Sequence, residues 1–172
     1  MARKEQGFSL IELLVVVAII LIIASIAIPN FLRSRMAAHE AGAVESLRGM
    51  TTAATVYNTQ WSNGYPPSLS VLGGTLLVAT CNNAELLDQL MTSVPYQKTG
   101  YTFGYVGIGA ALTPPVGCAA GGYNAYLATA TPIIFGTTGQ RSFCSTVPGV
   151  IHFNPTGVTP ASSAACDALP TL

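Results

Sequence analysis

The run from Phe8 to Ile28 constrains this chain more than any other feature: 21 residues with one charge, Glu12, and two serines. As an α-helix rising ~1.5 Å per residue it would be about 31 Å long, the thickness of a bilayer's hydrocarbon core. A helix apolar all round has no polar face to turn to water, so it must sit in lipid or against other apolar helices. Arg3 and Lys4 precede it, and that short positive flank predicts a cytoplasmic N-terminus. Arg33 and Arg35 on the far side weaken the bias. Ser25-Ile26-Ala27 has the small-x-small form of a signal peptidase site, so a cleaved secretory signal is a rival reading. The length of the run, the embedded Glu12 and the helical pattern beyond it argue the other way.

Pro29 has no amide hydrogen to donate to the Ser25 carbonyl, which predicts a kink there. Past it, Ala43, Leu47, Met50, Ala54, Tyr57 and Trp61 recur at alternating steps of four and three and make one apolar stripe. Arg48, Thr52, Thr55 and Thr59 make a polar stripe, and Glu45 can pair with Arg48 on the exposed side. Asn63-Gly64 and then Pro66-Pro67 end the pattern. One long kinked helix over about residues 8–61 is expected, its first half apolar and its second half amphipathic. A one-sided stripe implies a domain to pack on.

Residues 62–100 read mostly as loop, with Asn82 and Glu85 at capping-box spacing ahead of a short helix in AELLDQLM. Tyr101, Phe103 and Tyr105 alternate with Thr102 and Gly104 as in a strand, and Tyr123 to Ala130 reads as a second. Arg141 to Thr146 and Val150 to Asn154 flank Val147-Pro148-Gly149-Val150, where Pro then Gly predicts a type II turn. The expected fold class is α+β: the amphipathic half-helix covering one face of a roughly four-stranded antiparallel sheet.

The four cysteines, Cys81, Cys118, Cys144 and Cys166, all follow the apolar run and contain no CxxC pair, so a metal site is not expected. On an exported segment an even count suggests two disulfides. Three connectivities are possible; Cys81 with Cys118 and Cys144 with Cys166 is favoured, since each closes a local loop. Charged residues are only 8% of the chain, and the seven Lys and Arg are scattered, so no basic patch supports nucleic-acid binding. His39 and His152 are the only histidines, and Asp167 is the only acid after Asp88. No catalytic constellation, cofactor loop or metal shell emerges, and an enzyme is not expected.

On these residues the chain resembles a known family. Gly7-Phe8-Ser9-Leu10-Ile11-Glu12, followed by an unbroken apolar run to Pro29, looks like the class III signal of type IV pilins and pseudopilins. TTGQRSFCSTVPGVIHF resembles the last hairpin of bacterial major pilins and pseudopilins. The resemblance implies that prepilin peptidase cuts after Gly7 and methylates the new amine of Phe8. It implies a leader over 1–7, a transmembrane and filament-core helix over 8–29, an amphipathic helix over 30–61 and a globular domain over 62–172. The chain would wait in the inner membrane, N-terminus inside. A cytoplasmic ATPase, acting through a platform protein, would then extrude it into a helical homopolymer on the cell surface. Phe8, Glu12 and Pro29 become assembly residues: Glu12 meets the Phe8 amine of a neighbouring copy, and Pro29 marks where the helix can bend. A type II secretion pseudopilin, working in the periplasm, is the nearer alternative. Calcium-binding pseudopilins use acidic C-terminal loops, and Asp167 alone cannot supply such a shell. An alternative of another class is a single-pass anchored extracytoplasmic binding module.

Overall fold

The computed structural model describes residues 8–74 and 78–172. Its contacts group the chain into two units, Met1–Arg35 and Met36–Leu172. Helix α1 runs from Leu10 to Trp61 with Pro29 inside it. In the first unit, the large apolar side chains from Phe8 to Leu32 are exposed throughout.

The second unit places two short helices, α2 (Leu69–Leu72) and α3 (Gln89–Thr92), ahead of a five-stranded sheet. Its strands are β1 (Gln97–Lys98), β2 (Tyr101–Ile108), β3 (Ala125–Pro132), β4 (Ser142–Thr146) and β5 (Ile151–Asn154), in that spatial order. Every pair is antiparallel, so the sheet is a meander without crossovers. The fifth strand is β1, too short for its alternation to be read from sequence.

Register explains the core. Phe103 lies opposite Ala130, and Tyr105 opposite Ala128. A small residue beside each ring lets the aromatic lie across the sheet. Those rings meet the α1 stripe, where Ala43, Leu47, Met50, Ala54 and Tyr57 are fully buried and Trp61 is half-buried. Arg48, Thr52, Thr55 and Thr59 are exposed, as the opposite stripe requires. Strand β4 is buried at every position because the sheet is covered on both faces. On the far side Cys144 packs with Leu127 and Cys166, beneath helix α4 (Ser163–Asp167).

Two further details differ from the sequence reading. The helix expected in AELLDQLM is only its last part. Glu85 has φ +53°, which no α-helix accommodates. Ala84 and Leu86 instead donate their N–H groups to Val71 and Leu72, strapping that segment onto α2. Asp88 caps the short helix by accepting the Met91 N–H at 3.1 Å. In the β4–β5 turn Gly149 has positive φ as a Pro-Gly turn requires, but the Val147–Pro148 peptide is cis. Pro148 therefore sits third in a turn closed by the Gly149 N–H donating to Thr146.

A charged clamp ties α1 to the start of β4. Glu40 accepts the N–H groups of Gln140 at 2.9 Å and Arg141 at 3.2 Å, and the Arg141 guanidinium at 2.8 and 2.7 Å. Arg141 also lies over the rings of Phe143 and Phe153. Burial by itself would raise the Glu40 pKa; the donors from Gln140 and Arg141 outweigh it and hold the carboxyl below its ordinary value.

Candidate functional site

A helix N-terminus leaves its first N–H groups without intrahelical partners. At the start of α1 the Leu13 N–H donates to the Ser9 carbonyl at 3.3 Å, which makes Ser9 the cap residue. Glu12 stands three residues on, and its carboxylate accepts the Ser9 N–H at 2.9 Å. This is the carboxylate half of a capping box. Its signal, Ser-x-x-Glu, is present in the sequence, where the surrounding apolar run makes Glu12 read as a membrane charge and an assembly residue instead. Phe8, Ile11, Val15 and Val16 line a shallow apolar groove around it. The structure thus brings Phe8 and Glu12 together, with Phe8 86% exposed. Gly7, the expected cleavage residue, lies outside the described residues.

Pro29 stands well apart from that pair, within the helix. Its ring nitrogen leaves the Ser25 carbonyl without the usual donor. Ser25 itself turns its hydroxyl back to the Ile22 carbonyl at 2.7 Å. The helix from Leu10 to Trp61 is long and apolar enough at its N-terminal end to cross a membrane.

Disulfides join Cys81 to Cys118 and Cys144 to Cys166, so each closes a loop within the second unit. His152 is buried in β5 and donates from Nδ1 to the Leu169 carbonyl at 2.7 Å, a structural role. Asp167 accepts the Thr146 hydroxyl at 2.5 Å. Burial pushes Tyr101 and Tyr105 well above the usual phenol range and Tyr126 up to about 12, so these core tyrosines stay neutral. In the sequence Asn63 reads only as part of a helix stop. It is buried, donates to the Tyr57 hydroxyl and the Ala120 carbonyl, and accepts the Gly122 N–H. Nothing local marks that role, since its partners lie up to 59 residues away.

The N-terminal sequence has counterparts. Residues 2–28 match the prokaryotic N-terminal methylation motif. The chain is 46% identical over 50 residues to the type IV major pilin protein PilA of Myxococcus xanthus, covering 29% of this chain and 23% of that protein. It is 32% identical over 97 residues to PilA4, the major component of the wide type IV pilus of Thermus thermophilus, covering 56% of this chain and 63% of that one. The chain therefore spans less than two thirds of the length of either relative. No solved structure matches it. The chain thus carries a class III prepilin signal, is similar over part of its length to two type IV major pilins, and sets a long N-terminal helix beside an antiparallel sheet.

Proposed function

We propose that this protein is the structural subunit of a type IV pilus, cut after Gly7 by prepilin peptidase, methylated on Phe8 and polymerised into a helical surface filament. The observation that carries the reading is the methylation motif on a helix whose apolar side chains from Leu10 to Leu32 are exposed among the described residues. That surface needs lipid before assembly and neighbouring copies after it. Both relatives are major pilus components, which favours a pilus over a secretion pseudopilus.

In this reading Glu12 exchanges partners. Alone, it accepts the Ser9 N–H. In the filament it meets the positive Phe8 amine of a neighbour where the dielectric is low, and a subunit out of register would leave both charges unpaired. Uniform hydrocarbon cannot specify an axial position; one charge pair can. Mass spectrometry of the native N-terminus tests the processing. A mature chain beginning at methylated Phe8 is expected, with Gly7→Val accumulating as full-length precursor in the inner membrane. Normal processing of that variant would refute the assignment of the leader. Retention of Met1 would favour the tethered module, and a chain beginning near Ile28 a secreted one.

A further inference from the structure

We infer that the groove between the C-terminal end of α1 and the Cys118 loop binds a neutral saccharide. Asn58, Ser62, Tyr65, Leu112, Tyr123 and Asn124 line an open groove of about 450 Å³, within the ~300–1,000 Å³ typical of small-ligand sites. No acidic or basic side chain is among its lining residues. Anions are therefore not held by charge, and nucleic acid finds no cation for its phosphates. Leu112 is the only aliphatic side chain of the lining, so a wholly apolar ligand would leave the amides and hydroxyls unmatched. Carboxamides, hydroxyls and phenol rings suit a ligand that offers many hydroxyls on one edge and C–H groups on its faces.

The polar groups are available. Thr59, beside them, has committed its hydroxyl to the carbonyls of Thr55 and Val56. The side chains of Asn58, Ser62, Tyr65, Tyr123 and Asn124 make no hydrogen bond among the described residues. The last turn of α1 contains no basic residue, so its carbonyl end keeps its partial negative charge and favours hydroxyl donors over anions.

The groove is also rigid. Tyr65 and Tyr123 are locked side by side by reciprocal backbone bonds of 2.8 and 2.9 Å. Tyr65 stands edge-on to Tyr126 with centroids 4.9 Å apart. The Tyr123 ring lies so close over Gly107 that a Cβ there would come within 2.2 Å of it. Gly64, at φ +73°, lets the chain turn where a Cβ would come 2.7 Å from both Leu112 and the Tyr123 carbonyl. On the facing wall Leu112 donates its N–H to the Gly122 carbonyl at 2.8 Å, and the Gly122 N–H donates to the Asn63 side chain at 3.2 Å. Two aromatic rings held this way lose little entropy when a ligand packs on them.

The test uses the detergent-solubilised full-length protein and saturation-transfer NMR. The probes are maltotetraose, cellotetraose and mannotetraose, with tetragalacturonate as the charged comparator. Binding of at least one neutral tetrasaccharide is expected, little changed between pH 5 and 8. Asn124→Ala and Asn58→Ala, both at the groove surface, should each weaken it about five- to ten-fold. Tyr123→Ala should weaken it more than Tyr123→Phe, which keeps the ring. Absence of binding by all three neutral sugars at ~10 mM, where a site of about millimolar affinity is nearly filled, would overturn the inference. So would preference for tetragalacturonate, or binding that the two Asn variants leave unchanged. Loss of filament yield in those variants with no sugar bound would make the groove a contact between copies and equally overturn it.

Discussion

Glu40→Ala removes one carboxylate and with it four donations that bind α1 to the start of β4. The ion pair itself is modest. Arg141 is 41% exposed, so solvent screens it and about 0.5–1 kcal/mol is its share. The two backbone N–H groups of Gln140 and Arg141 matter more, because the alanine variant leaves them without an acceptor, at about 1 kcal/mol each. The sum is about 2–3 kcal/mol, or a fall of roughly 10 °C in Tm for a domain of this size. Glu40→Gln keeps an acceptor for the backbone and should cost only about 1 kcal/mol. The pH dependence separates charge from shape. Glu40 titrates below its ordinary value in the folded state, so its contribution is complete above the unfolded carboxyl value near 4.5 and fades as pH falls through the folded one. Wild type should lose that stability on acidification, and Glu40→Gln should not. Asp88, held down chiefly by its bond from Lys98, loses its own share in both proteins and drops out of the difference. The assay is urea unfolding in nonionic detergent, followed by near-ultraviolet circular dichroism at pH 7 and pH 3.5. A Glu40→Ala penalty below ~0.5 kcal/mol, the size of an ordinary surface change, would refute the reasoning. So would equal acid loss in wild type and Glu40→Gln.

Glu12→Ala and Glu12→Gln should both be processed and inserted yet give little sheared filament; wild-type yield from both would end the partner-exchange idea. Replacing Cys144 and Cys166 by serine opens a loop of 22-residue separation and should cost about 3 kcal/mol in the chain-entropy treatment, measured by urea midpoint against the oxidised protein. Gly121→Ala would drive a Cβ to 1.6 Å from the Leu112 carbonyl oxygen, a backbone atom that cannot step aside. A loss of about 2 kcal/mol or more and faster proteolysis within the Cys118 loop are expected; unchanged proteolysis would show that the loop accommodates the methyl.

Much of the fold was legible because it rests on periodicity. The stripe from Ala43 to Tyr57 and the alternation Tyr101-Phe103-Tyr105 each declare a buried face, and both are buried. What was not legible depends on partners far along the chain. Glu85 looks like a capping residue until Val71 and Leu72 claim the N–H groups beside it. Asn63 looks like turn chemistry until the loop at Ala120 and Gly122 folds over it. Glu40 reads as one more polar residue on a helix, because Gln140 and Arg141 are about a hundred positions away. The covered far face of β4 was missed for a similar reason: five consecutive buried residues, two of them serine and two others threonine and cysteine, carry no hydrophobic alternation. At the N-terminus the difficulty was different. Ser9 and Glu12 are close in sequence, but the apolar run drew the reading toward lipid and away from capping.

The positions of the disulfides bear on how the second unit would respond to mechanical load. Both close loops after Trp61, so neither contains a residue of α1. A pull on α1 reaches the sheet without any covalent cross-link. It is borne by the buried stripe, the Glu40 clamp and the Tyr57 hydroxyl bond to the Cys81 carbonyl. Under rising force the helix should peel away as one event, while the segments 81–118 and 144–166 stay stapled and cannot lengthen. Extension then stops early, and two cross-linked loops remain as a template on which the helix can dock again.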